Sequence, residues 1–211
     1  MNNSKLLYLK DAIKYRNVWL GIAMIWIVVY HSGIDLGNNV FGEIMKIGYG
    51  GVDICIFASG LGCYCSLEKN HDALDFIKRR VLRIGPTWWC FLVFFTGFQV
   101  ISYGVSLRTI MGNFLGVQYF TGIGNPFNWY IYGVLLLYIF APYLKGLVDR
   151  IATKREHLLV LIVLIAYSVV FWRSNHMIII ITRFVVFYLG MVLGKACKKE
   201  LTLPRKTIFG L

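Results

Sequence analysis

Apolar runs of about 18 residues, the length a helix needs to cross a bilayer, recur along the chain from Val18 to the neighbourhood of Lys195. No other feature restricts the fold as strongly. A backbone in hydrocarbon must satisfy its own N–H and C=O groups, and a helix does so within one segment. Six spans are expected, at 18–35, 47–66, 86–104, 128–145, 158–174 and 177–195. The balance of residues agrees: 58% are hydrophobic and 15% charged, whereas a soluble domain carries about a quarter charged. The expected fold class is all-α, a polytopic transmembrane helix bundle of about six helices forming a single membrane domain over 1–211. No internal repeat is visible. The polar, basic start leads into a run of full spanning length with no small-residue cleavage pattern, so no cleavable signal peptide is expected.

A net charge of +12 raises the question of nucleic acid, and the placement of the charges answers it. Lys5, Lys10, Lys14 and Arg16 precede the first span, and Lys69, Lys78, Arg79, Arg80 and Arg83 lie between the second and third. Lys145, Arg150, Lys154 and Arg155 follow the fourth, and Lys195, Lys198, Lys199, Arg205 and Lys206 follow the sixth. The alternate connections hold only Lys46, Arg108 and Arg173. This is the positive-inside pattern, which puts both termini in the cytoplasm and directs the basic excess at anionic membrane lipids. No nucleic-acid partner is expected. The five cysteines have no metal-ligand spacing. They read as small apolar packing residues, and no metal is expected.

An ionisable group in hydrocarbon costs about 2.5–3.5 kcal/mol on insertion scales, so each one inside a span is a functional candidate. His31 lies toward the outer end of the first span in "YRNVWLGIAMIWIVVYHSG". Asp53 lies early in the second, in "GYGGVDICIFASG", and Arg183 early in the sixth, in "MIIIITRFVVFYLG". All three fall at similar depth in the outer half of the membrane. Either they form a site, or Asp53 and Arg183 neutralise one another as a structural pair beside an interfacial histidine.

A second cluster is "DFIKRRVLRIGPTWW". Arg80 and Arg83 are i, i+3, and like charges so placed repel unless an anion lies between them. Pro86 is suited to the first turn of a helix, so the third helix is expected to begin just after the arginines. Its free N–H groups would then face the same anion. The alternative is anchoring to lipid headgroups. Ala58 and Gly62 have the small-xxx-small spacing of a helix contact, with Gly48, Gly50 and Gly51 loosening the start of that helix. The Gly-rich stretch 105–127, with Asn125-Pro126, is expected to be non-helical and outside.

Five stretches in order carry a resemblance. "GIAMIWIVVYHSG" resembles the first helix of the membrane-bound acyltransferase-3 family, the bacterial glycan O-acyltransferases, and "GGVDICIFASG" its second-helix motif. "FIKRRVLRIGPTWW" is similar to its Arg-x-x-Arg segment, "NPFNWYIYGVLLLYIFAPYL" to its Trp-containing helix that ends at a Pro, and "RFVVFYLGMVLGK" to a later Gly-Lys helix end. The family places a basic residue where this sequence has Leu20, and Arg16, one turn earlier, is the candidate substitute. Family domains carry more helices than six, so a shortened member lacking C-terminal helices is expected.

The resemblance implies transfer of an acyl group, acetyl by default, from acyl-CoA (acetyl-CoA) as donor substrate to a hydroxyl of an extracytoplasmic glycan. No permanently bound cofactor is implied, and the setting is the cytoplasmic membrane of a bacterial cell. His31 would be general base or transient acyl carrier, with Asp53 holding its ring. Arg80 and Arg83 would hold CoA phosphates, at least ~15 Å from His31 in depth at 1.5 Å per residue, a distance for the pantetheine arm to bridge. Arg183 would pair with Asp53 or steady an oxyanion. Trp129 would stack on a sugar or belong to the interfacial aromatic belt. The competing readings are an inactive remnant or accessory membrane subunit, and a transporter. No inverted repeat or pair of broken helices marks the latter.

Overall fold

The computed structural model describes residues 14–34, 37, 39–116, 129–170 and 178–201. The described residues form α-helices and no strand: α1 (Arg16–His31), α2 (Val40–Lys46), α3 (Gly50–Lys69), α4 (Ala73–Tyr103), α5 (Leu107–Leu115), α6 (Trp129–Arg150), α7 (Lys154–Val170) and α8 (Ile178–Leu201). Among the described residues, four stretches are long and apolar enough to cross a membrane: Gly50–Lys69, Ala73–Tyr103, Trp129–Arg150 and Ile179–Lys198. The protein is an all-α membrane helix bundle. α1 and α7 overlie two further expected spans, but at 16 and 17 residues they reach only about 25 Å. The chain divides into two compact units, one of residues 1–65 with 186–211 and one of 66–185.

In the first unit, glycines let helices meet backbone to backbone. A methyl group at Gly60 of α3 would fall 2.1 Å from the Phe187 carbonyl oxygen of α8. One at Gly190 would fall 2.1 Å from the Phe57 carbonyl oxygen. The two positions face one another across a single helix crossing, the use small residues have where lipid gives no hydrophobic drive to association. Phe187, Met191, Ile56 and Leu61 are buried around it. The contact with α8 is made at Gly60, between the expected packing positions Ala58 and Gly62. Gly51 and Gly48 do not loosen the chain. A methyl group at Gly51 would lie 2.7 Å from the Ala23 carbonyl oxygen, and one at Gly48 would lie 2.5 Å from Tyr30 Cβ, so both admit α1. The Trp26 indole donates to the Ile44 carbonyl at 2.8 Å and ties α2 to α1.

In the second unit, α4 and α6 run side by side in opposite directions. Phe76 meets Tyr138 edge-on, and Trp88 meets Tyr132, with centroids 6.4 and 6.2 Å apart. The expected helix start after Arg83 is corrected by this packing. α4 begins at the Asp72 cap, whose side chain accepts from the Leu74 and Asp75 amides at 2.9 and 3.1 Å. It runs through Pro86 without ending. A proline in a helix interior costs about 3 kcal/mol. Contacts to α6 on both sides of Pro86 hold the helix in register. Pro142 is likewise interior, so α6 continues to Arg150 rather than closing at that proline. Lys145 joins Glu68 at 3.0 Å and Asp149 at 2.6 Å near the end of α6.

The stretch 105–127 also departs from expectation. Its first half is helix α5, which Gly104, in the left-handed conformation at φ 59°, turns back along α4. Asn125 and Pro126 lie outside the described residues. α7 opens on a reciprocal cap. The Glu156 carboxylate accepts from the Ala152 and Thr153 amides while the Thr153 hydroxyl accepts from the Glu156 amide. These bonds favour the ionised carboxylate and hold its pKa below the usual range.

Candidate active site

His31 is the last residue of α1 and is exposed. Its Nδ1 lies 2.9 Å from the Ile27 carbonyl oxygen one turn back. A carbonyl only accepts, so this bond requires Nδ1–H, and the neutral ring then carries its lone pair on Nε2. The ring meets Tyr30 edge-on at 4.9 Å. Asp53 was expected to hold this imidazole. The Ile27 carbonyl of α1 holds Nδ1, because an i, i−4 carbonyl is delivered by the helix itself. Asp53 sits half-buried in the first turn of α3, where the positive end of the helix dipole favours a carboxylate.

Beside His31, the end of α1 and helix α2 enclose an open cavity of about 240 Å³ lined by Val29, Tyr30, Gly33, Ile34, Met45 and Lys46, among others. Lys46 is ion-paired to Glu43 at 2.6 Å. Tyr30 and Lys46 thus give the cavity wall an aromatic ring and a paired cation. Sequence reading passed over Tyr30, Glu43 and Lys46. The available signal was the pair Glu43 and Lys46 at i, i+3, close after the histidine.

At the other end of α1, the Arg16 guanidinium packs over α3. A methyl group at Gly62 would lie 3.2 Å from Arg16 Nη1, so Gly62 is the residue that makes room for it. Arg16 Nε is buried with no hydrogen-bond partner among the described residues. Leu20, one turn further on, is half-buried.

In the second unit, Arg80 is half-buried against two rings, its guanidinium carbon 5.2 Å from the Phe76 centroid and 5.4 Å from that of Tyr138. Stacking engages the face of a guanidinium and phosphate binding engages its edge, so one arginine can do both. Arg83 is exposed one turn along. Arg79 is committed to Asp75 as an ion pair. The helix N-terminus that was to assist Arg80 and Arg83 is absent from their side, since α4 is continuous there. Arg183 and Trp129, far apart in sequence, are brought together. The guanidinium lies 6.0 Å over the indole, and Nη1 reaches the Thr182 hydroxyl at 3.3 Å. One face of Trp129 is thus taken by a cation. Among the described residues no group of three His, Cys, Asp or Glu is placed to hold a metal ion.

A bundle of apolar helices, four of them long enough to span, defines a multi-pass membrane protein. The chain belongs to the acyltransferase-3 family: the model of that family, described as an acyltransferase domain, matches residues 17–211. It is a membrane acyltransferase. No curated protein and no solved structure matches it.

Proposed function

We propose that the protein is an O-acyltransferase of the cytoplasmic membrane, moving an acyl group, acetyl by default, from acyl-CoA to a hydroxyl of an extracytoplasmic glycan. The observation that carries this reading is the exposed His31 with Nδ1 held by the Ile27 carbonyl. That bond leaves Nε2 as the basic nitrogen, and Tyr30 and Gly33, close to His31 in the chain, line a cavity of about 240 Å³. A sugar hydroxyl barely ionises at neutral pH, and an imidazole is the side chain whose basicity suits removing its proton.

In this reading Nε2 takes the hydroxyl proton as the sugar oxygen attacks the thioester carbonyl. The tetrahedral intermediate collapses with cleavage of the C–S bond. The CoA thiolate leaves and recovers the proton from the imidazolium. A variant route has Nε2 attack first and carry the acyl group. Asp53, in the same unit, supplies a counter-charge to the imidazolium. Arg183, set by Trp129 and Thr182, is a cation of the second unit. Arg16, with a buried Nε on α3, stands in for the basic residue replaced by Leu20. Cells expressing the chain should gain alkali-labile O-acyl groups on surface glycans relative to an empty vector. No gain in a host whose glycans the purified chain cannot acylate from labelled acetyl-CoA counts against the reading.

Arg80 and Arg83 are the proposed phosphate clamp. Replacing both with alanine should weaken acyl-CoA binding in detergent roughly tenfold or more, each charged hydrogen bond being worth about 1.5–3 kcal/mol. Membrane insertion should be unchanged. Donor affinity equal to that of the unmutated chain would remove the clamp and leave the two arginines as lipid anchors.

A further inference from the structure

α5 is inside out for a helix in water. Its polar Asn113 is buried, at 1% exposure, while Leu107, Met111 and Leu115, at i, i+4 and i+8, are 71%, 55% and 64% exposed. A helix on an aqueous surface shows the reverse arrangement. Its one charged residue, Arg108, lies in the first turn, at the end where the chain leaves α4.

The contacts of α5 fix its course. The Asn113 amide donates to the Thr96 hydroxyl at 3.2 Å and to the Gln99 carbonyl at 2.8 Å. The Phe114 ring lies 5.8 Å from that of Trp89. Thr96 is about 10 Å and Trp89 about 21 Å back along α4 from Tyr103, at 1.5 Å per residue. α5 therefore runs antiparallel to α4 and ends some 13 Å below its terminus. α4 is an apolar spanning helix, and the hydrocarbon core is about 30 Å thick, so that end falls near mid-depth.

The helix end is finished accordingly. The Tyr132 hydroxyl lies 3.2 Å from the Asn113 carbonyl and 3.0 Å from the Phe114 carbonyl, and meets two of the last carbonyls of α5. Gly116 follows in the left-handed conformation at φ 68°, where a methyl group would fall 2.3 Å from the Tyr132 ring. In water these carbonyls would need no such partner. In hydrocarbon each one left bare costs several kcal/mol.

We infer that α5 is a re-entrant helix that enters the bilayer from the face where α4 ends, with Leu107, Met111 and Leu115 solvated by lipid acyl chains. The exposed Phe94, Phe98 and Ile101 of α4 continue the same lipid-facing surface.

Single cysteines at Arg108, Met111 and Leu115 in the full chain, in native membranes, test this against the labelling of the unmutated chain. A membrane-impermeant maleimide should label Arg108→Cys readily and Leu115→Cys at least tenfold more slowly, with equal labelling after denaturation. Equal rates before denaturation would make α5 an aqueous loop. Nitroxides at the same positions give a second reading that does not depend on thiol reactivity. Relaxation by oxygen relative to a soluble nickel chelate should rise from 108 to 115, and a flat profile overturns the proposal.

Discussion

His31→Ala is expected to lower acyl transfer by about 100- to 10,000-fold, the range in which a positioned general base contributes. His31→Gln should do no better, because an amide replaces the ring's hydrogen bonds without accepting a proton. Alkali-labile O-acetyl on surface glycans is the readout, with unmutated chain and empty vector in parallel. The substitution removes an exposed side chain that hydrogen-bonds to its own helix, so expression and thermal stability should be retained. Loss of transfer with full retention of fold assigns the chemistry to the imidazole. Transfer persisting within threefold would move the base elsewhere, and the acyl-carrier route would fall with it. If the unmutated chain also fails on every acceptor, the accessory-subunit reading gains the weight.

The second large effect is structural. Gly190→Ala and Gly60→Ala should each destabilise the first unit by about 1–3 kcal/mol, the usual cost of overpacking, and leucine at either position should prevent its assembly. Both methyl groups would sit 2.1 Å from a backbone carbonyl oxygen. A carbonyl cannot turn aside as a flexible side chain can, so the helices must separate. Because α3 and α8 share one crossing, the double alanine variant should cost less than the sum of the singles. Gly97→Ala and Gly146→Ala are the internal controls. A methyl group meets nothing within 4 Å at either, and alanine is the better helix former by roughly 1 kcal/mol. Thermal unfolding in detergent separates the pairs. Equal midpoints for Gly190→Ala and Gly97→Ala would mean the crossing is looser than its geometry implies.

Sequence alone carried the all-α membrane class because hydrocarbon permits little else. Length and apolarity are sufficient where every backbone group must be satisfied locally. The same reasoning found His31, Asp53 and Arg183, since an ionisable residue is conspicuous in an apolar run. It could not find which face of α3 meets α8. α3 is apolar on all sides, so Gly60 and Gly62 look alike, and only the rotation of the helix decides between them. Pro86 misled for a related reason. Its local preference to open a helix is real, but the contacts of Phe76, Arg80 and Trp88 with α6 outweigh it.

Composition and charge order thus determined the solvent of this protein, its helical class and the residues that stand out against that solvent. Tertiary structure decided which nitrogen of His31 is basic, that Arg80 is stacked between Phe76 and Tyr138, that Arg183 lies over Trp129, and that α5 doubles back along α4. Each of these depends on a partner distant in sequence or on a turn between helices. Periodicity within one segment records neither, because contacts between helices are set by how they rotate and cross once they are packed.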